Sequence, residues 1–184
     1  MNRRWLALLA ALTAALLVAA CAGPTPADYA AEKPLLDLRE YFNGNLVAHG
    51  IFTDRSGKVV RRFTVQLKGS WHGDEGVLDE AFTYSDGKTE KRVWHIRKLP
   101  DVQGQARYSG QAGDVVGTAS GEAAGHALRW AYVLKLAPDQ GGHEVDVDDW
   151  MYLVDDETLL NRSTINKFGI RFGDITISFR KRKS

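Results

Sequence analysis

The sequence predicts an all-β protein: an antiparallel, up-and-down β-barrel of about ten strands, with a short helix before the first strand. Two features of the chain support this prediction. Apolar and polar residues alternate along several stretches, and clusters of turn-forming residues separate these stretches at short intervals. A sandwich of two sheets is the alternative that the same pattern allows.

Alternation is clearest in two stretches. In "RRFTVQL", Phe63, Val65 and Leu67 fall on one face of an extended chain, with polar residues between them. In "LRWAYVLKL", Trp130 and Tyr132 share a face in the same way. Because successive side chains of a strand point to opposite faces, a period of two indicates strands with one buried face.

Turn signals set the expected strand boundaries. The stretch "SDGK" contains Asp86-Gly87, which is a strong hairpin signal between alternating segments. Near the C-terminus the apolar parity flips across Gly173-Asp174, which predicts a tight hairpin or a bulge there. The short helix is expected over Leu35–Phe42, and the strands over 46–52, 59–67, 77–84, 90–99, 105–109, 114–121, 127–136, 143–153, 159–171 and 175–181.

The N-terminus has the layout of a secretory signal. Arg3 and Arg4 precede an apolar run, Trp5–Ala20, and the only cysteine of the chain, Cys21, follows small residues. The run is shorter than the ~20 apolar residues that span a bilayer comfortably. We therefore expect a signal peptide over 1–20, an extended tether over 21–34 and one barrel domain over 35–184.

Composition narrows the class of partner. Without the two arginines of the signal, the mature chain has 22 basic and 23 acidic side chains, a formal charge of −1. This balance lacks the basic footprint of a nucleic-acid-binding protein. The roughly 150 residues after the tether are enough for one domain with its own hydrophobic core.

The stretch Val18-Ala19-Ala20-Cys21 resembles the bacterial lipoprotein box. The resemblance implies diacylglycerol on the Cys21 thiol, cleavage before Cys21, and acylation of the new amino group with a fatty acid such as palmitate. Several acyl chains provide the stable membrane anchoring that one chain does not. Since Ala22 replaces the Asp that favours the inner membrane, the outer membrane, facing the periplasm, is the expected location. An ordinary secretory signal with an incidental or buried cysteine is the alternative.

Two long stretches, "LDLREYFNGNLVAHGIFTDRSGKVVRRFTV" and "DDWMYLVDDETLLNRSTINKFGIRFGDITISFRK", resemble a family of bacterial lipoproteins known as domain of unknown function 3833. The resemblance implies a calycin-like barrel, the class that includes lipocalins, and hints at a role around membrane lipid modification. The chain has no Gly-x-Trp motif of the lipocalins on its first strand, so their function does not transfer by motif.

Aromatic residues on alternating strands suggest a ligand cavity. We hypothesise that they line the barrel interior and accept a hydrophobic ligand, a fatty acyl chain or a phospholipid. The candidate lining residues are Phe63, Trp94, Trp130, Tyr132, Trp150 and Tyr152. The alternative is a filled core, which would make the protein an adaptor that docks a protein partner not identified by the sequence.

Signals for catalysis and metal binding are absent from the sequence pattern. The five histidines are scattered, and no serine lies in a Gly-x-Ser-x-Gly turn, so we predict neither an enzyme nor a bound metal or cofactor. A cavity that held a buried histidine or carboxyl group with a shifted pKa would favour an enzyme instead. An acidic group is interpreted as a solvated strand face and turn; it comprises Asp146, Asp148, Asp149, Asp155, Asp156 and Glu157.

Overall fold

The computed structural model describes residues 23–182. The predicted signal peptide, residues 1–20, and the predicted acylation site, Cys21, lie outside the described residues. The elements within them are α1 (Leu38–Tyr41), β1 (Gly44–Asp54), β2 (Val59–His72), β3 (Glu75–Tyr84), β4 (Thr89–Val102), β5 (Gln105–Gln111), β6 (Val115–Ala124), β7 (Ala127–Lys135), β8 (Glu144–Leu153), β9 (Thr158–Lys167) and β10 (Ile170–Lys181). Single 3₁₀ turns occur at Pro26–Tyr29 and Pro138–Gln140.

The ten described strands form one closed, antiparallel barrel. Each strand pairs with its neighbours in sequence, and β1 pairs with β10 to close the sheet. The predicted up-and-down barrel is therefore confirmed, and the two-sheet sandwich is excluded. The alternation of apolar and polar residues along β2 reflects one buried face, as predicted. Phe63, Val65 and Leu67 point into the barrel and are only 8%, 2% and 3% exposed.

Of the two alternatives predicted at Gly173-Asp174, the bulge is confirmed and the hairpin is wrong. The hairpin turn lies at Phe168-Gly169, where the two residues have positive φ angles of 53° and 74°. The parity flip comes from an irregularity between Arg171 and Gly173, where the register of β10 against β9 shifts. Because a bulge adds one residue to one strand, it reverses the faces of all residues beyond it.

The short helix α1 closes one end of the barrel. It spans fewer residues than the predicted Leu35–Phe42 because Asp37 caps its start, with a carboxylate that accepts a hydrogen bond from the Arg39 amide at 2.8 Å. Phe42 lies against Gly69 of β2, where a side chain would collide with the Phe42 carbonyl oxygen. Glycine at this position therefore lets the end of the helix rest directly on the strand.

The N-terminal segment packs on the outside of the barrel. Pro26 is buried, and the Tyr29 ring meets the rings of His126 and Tyr152 edge-on at 5.3 and 5.9 Å. The Leu36 amide donates a hydrogen bond to the Gly125 carbonyl at 2.8 Å. Over its described part, this segment is thus held on the wall and is not the extended tether expected from its prolines.

Among residues 23–182, no helix has the length and apolar character needed to cross a membrane.

Candidate functional site

A cavity of about 1130 Å³ occupies the barrel interior. Leu38 and Phe42 of the closed end form its floor. Val60 and Phe172, each 50% exposed, lie at its opposite end, which we call the mouth. The cavity therefore runs along the barrel axis from a closed end to an open one. This shape is typical of a site that admits a ligand from one side.

Four of the predicted aromatic residues, Phe63, Trp94, Trp130 and Tyr132, line this cavity. The Trp94 ring meets the Trp130 ring edge-on, with centroids 5.7 Å apart, and meets the Tyr132 ring in the same way at 5.4 Å. Trp94 belongs to β4 and the other two to β7, so the cluster bridges the two strands that lie between them in the sheet. The four residues together give the cavity wall an aromatic section.

Two interior glycines make room for this aromatic section. Gly110 of β5 and Gly121 of β6 face the barrel interior, and a β-carbon at either would overlap the Trp130 ring, at 2.6 Å in the case of Gly110. The indole therefore lies across the bare backbone of these two strands. Glycine inside a strand often marks such a close approach, so both positions carried a signal in the sequence.

The prediction for Trp150 and Tyr152 is corrected by the structure. Their neighbour Asp149 points into the cavity, so alternation along β8 turns both rings outward. The two rings stack on each other at 5.9 Å, and Tyr29 of the N-terminal segment packs against both. These aromatic residues attach the segment to the outer wall and do not line the cavity.

A polar group that sequence reasoning missed lies inside the cavity. Glu80 of β3 and Arg92 of β4 stand opposite each other in the sheet register, and both line the cavity. The Arg92 guanidinium is held by Asp114, with two N–H donors 2.9 and 2.6 Å from Asp114 Oδ2. Glu80 is 9% exposed, and its Oε2 atom has no hydrogen-bond partner. An unpaired buried carboxyl oxygen is costly to the fold, which makes it a candidate ligand contact.

Asp149 supplies a second buried carboxyl group, only 6% exposed. Ser163 donates a hydrogen bond to its Oδ1 at 2.8 Å, and the Asn161 side-chain amide donates to the same atom. The expectation that Asp149 belongs to a solvated face is therefore wrong. Asp148, beside it, does face outward, and it accepts a hydrogen bond from Arg129 at 2.6 Å.

Both interior carboxyl groups hold protons more tightly than usual. Burial raises the pKa of Glu80 to about 7; the Arg92 charge opposes this rise, and the charges of Asp114 and Asp149 add to it. Burial likewise raises the pKa of Asp149 to about 6, although the hydrogen bonds from Asn161 and Ser163 lower it. Each group therefore changes charge within about a unit of neutral pH.

The family model described as "Protein of unknown function (DUF3833)" matches residues 15–181. The chain belongs to this family. The match covers nearly the whole chain and confirms the resemblance seen in the sequence. It brings no activity with it, since the family's own description states that its function is unknown.

Two solved structures are similar to this DUF3833 member in fold. One is a de novo designed fluorescence-activating β-barrel, with 13% identity and a TM-score of 0.40, covering 80% of this chain and 100% of that one. Another, EF1p2_mFAP2b bound to DFHBI, has 9% identity and a TM-score of 0.43, covering 79% of this chain and 100% of that one. At these TM-scores neither likeness bears on what this chain binds. None of the curated proteins matches the sequence.

Proposed function

We propose that this DUF3833 member is a lipid-anchored lipoprotein of the bacterial envelope that binds or carries a fatty acyl or phospholipid ligand inside its barrel. The observation that carries the proposal is the cavity of about 1130 Å³. Small-molecule sites typically occupy roughly 300–1,000 Å³ and have mostly apolar linings. An adaptor with a filled core needs no such space, so the cavity favours a carrier.

The exposed apolar residues at the mouth favour a ligand that enters the cavity from a membrane. Apolar side chains stay exposed there, including Phe172 at 50%, Ile170 at 67% and Phe168 at 90%. Exposed apolar patches of this kind mark surfaces that contact membranes or partners. An acyl chain entering the cavity would pass these residues first.

Attachment to the membrane is the second part of the proposal. Cys21, outside the described residues but inside the segment that the family model matches, is the proposed acylation site. We place the protein at the outer membrane, facing the periplasm, in a process linked to membrane lipid modification. Replacing Cys21 by Ser should release the protein from the membrane fraction, or leave an unprocessed precursor. A processed variant that still fractionates with membranes would contradict the anchor.

The binding proposal is tested by native mass spectrometry of protein purified without detergent, followed by lipid analysis. We expect a lipid at near-stoichiometric level. Ile177→Trp places a large ring in the cavity and should abolish this lipid, because Ile177 lines the cavity wall. Thr176→Trp is the matched control, since Thr176 is exposed on the outer face of the same strand. A protein that holds no lipid and takes up neither added fatty acid nor phospholipid would contradict the proposal.

A lipid-modifying enzyme is a second candidate, favoured by one observation. Glu80 is a buried cavity carboxyl group with its pKa raised to about 7, which suits a general acid or base. A covalent mechanism also needs a nucleophile beside such a base. Ser163 is a cavity hydroxyl that is hydrogen-bonded to an interior carboxyl group, but its partner is Asp149 and not Glu80. Incubation with phospholipids should therefore give binding without product; release of a product would establish the enzyme.

A further inference from the structure

Glu80 brings into the cavity a buried carboxyl oxygen that the fold leaves without a hydrogen-bond partner. Glu80 is 9% exposed and projects into the cavity, and its Oε2 atom has no partner. The nearest charge of opposite sign on the neighbouring strand, Arg92, is occupied by Asp114 through short hydrogen bonds. A hydrogen-bond donor on a bound ligand would satisfy this oxygen.

The charges around Glu80 favour a positively charged donor. The groups that face it are Arg92 from β4, Asp114 from the turn after β5, Tyr132 from β7 and Asp149 from β8. Burial raises the pKa of Tyr132, so this hydroxyl stays neutral at physiological pH. Three carboxyl groups thus share one guanidinium, and negative charge exceeds positive charge around Glu80 whenever Glu80 or Asp149 is ionised. These surroundings attract a cation and repel an anion.

The barrel topology places the two interior carboxyl groups, Glu80 and Asp149, on opposite walls of the cavity. Five steps around the ten-stranded barrel separate β3, which carries Glu80, from β8, which carries Asp149. Trp94 and Trp130 lie on strands between them, with their rings in edge-on contact. Aromatic faces attract ammonium groups, and the attraction increases when the site excludes water.

We propose that the cavity is specific for an amphiphile that contains an amine, and that its ammonium group lies between Glu80 and Asp149 beside the Trp94 and Trp130 rings. This inference rests on the proposed function, because it names the ligand class of the same cavity. Apolar lining continues on both sides of the carboxyl groups, with Leu78 towards the closed end and Phe82 towards the mouth. The alkyl part of the ligand therefore has an apolar wall along its length. A fatty acid carboxylate fits this position poorly, since Arg92 is already paired.

Three probes of equal chain length test the inference: dodecylamine, dodecanol and dodecanoic acid. Their dissociation constants are measured on the delipidated protein through its tryptophan fluorescence at pH 8. We expect the amine to bind at least tenfold more tightly than the other two. Glu80→Gln should reduce this preference to less than threefold, because it keeps the shape and removes the charge. Glu122→Gln is the control, since Glu122 pairs with Arg107 away from the cavity and should leave the preference intact.

The pH profile of the unmodified protein gives a second measurement that needs no variant. Amine affinity should rise between pH 5 and pH 8 as Glu80 and Asp149 lose their protons, whereas dodecanoic acid should bind better at low pH. If the three probes bind equally, or the acid binds best at pH 8, the amine inference is overturned and the carrier proposal stands. If none of the three probes binds, the amine inference is overturned, and the carrier proposal fails with it when the protein also takes up no phospholipid.

Discussion

The two ends of the barrel are built differently, although the same ten strands form both. At the closed end, Leu38, Tyr41 and Phe42 are each 3% exposed, and the Phe42 ring packs edge-on against Phe179 at 5.6 Å. At the mouth, the lining residues Val60 and Phe172 are half exposed. The closed end is a packed core, whereas the mouth leaves apolar surface available. We therefore expect the closed end to contribute more to the stability of the barrel than the mouth does.

The closed end and the cavity also differ in how their buried polar groups are hydrogen-bonded. At the closed end, the Tyr41 hydroxyl donates to the carbonyl oxygens of Glu157 and Phe179, and the Tyr108 hydroxyl lies 3.3 Å from the Asp37 carboxylate. In the cavity, the Oε2 atom of Glu80 has no partner. Satisfied groups at the closed end and an unsatisfied one in the cavity indicate that only the cavity is adapted to an additional molecule.

The largest expected effect comes from truncating one aromatic residue at each end. Phe42→Ala should lower the free energy of unfolding by about 3–5 kcal/mol, because its ring is 3% exposed and packs against the rings of Tyr41 and Phe179. Phe82→Ala should cost on the order of 1 kcal/mol, since the Phe82 ring is only half-buried in the cavity wall. Urea unfolding monitored by circular dichroism measures both. Equal losses would mean that the two ends contribute alike to stability.

A smaller effect is expected from the charge of Glu80. The pKa of Glu80 is about 7 in the folded protein and near its ordinary value of 4.5 in the unfolded chain, so the folded protein holds an extra proton between these two pH values. The free energy of unfolding should therefore fall as pH rises from about 4.5 to about 7. Glu80→Gln removes the cost of ionising a buried carboxyl group. The variant should therefore be more stable than the wild type by about 2–3 kcal/mol at pH 8, with little difference at pH 4.

Unfolding curves at the two pH values decide this prediction, and Glu122→Gln on the outer surface serves as the control. Asp149 should contribute a slope of the same sign, because its pKa is also raised. The variant would then keep part of the pH dependence. A Glu80→Gln protein less stable than the wild type at pH 8 would show that the ionised carboxylate is satisfied in the fold.

The smallest stability effect is expected at the tip of the last hairpin. Phe168 is 90% exposed, so Phe168→Ser should change the free energy of unfolding by less than about 0.5 kcal/mol. Under the carrier proposal the same change should slow uptake of a fluorescent acyl probe from vesicles, while affinity for the probe in solution stays the same. Unchanged uptake would assign the exposed apolar tip no part in ligand entry.

The alternation of apolar and polar residues was sufficient to predict interior positions on strands whose apolar face is buried. Phe63, Trp94, Trp130 and Tyr132 were placed in the interior from alternation and aromatic character. The same reasoning failed at β8, because alternation establishes that Trp150 and Tyr152 share a face without saying which face. The inward position belongs to Asp149, and a carboxyl group is the residue that sequence reasoning assigns to solvent.

The sequence by itself determined the all-β class, the family and ten segments of alternating character, because side-chain periodicity and turn chemistry are local properties. Only the tertiary structure decided between a hairpin and a bulge before Gly173, and it alone established the packing of Tyr29 on the outer wall and the space inside the barrel. It also brought Glu80 and Asp149 to opposite walls of one cavity, although 69 positions separate them in the chain. Barrel closure sets such distances, since strand order and register decide which distant residues face each other.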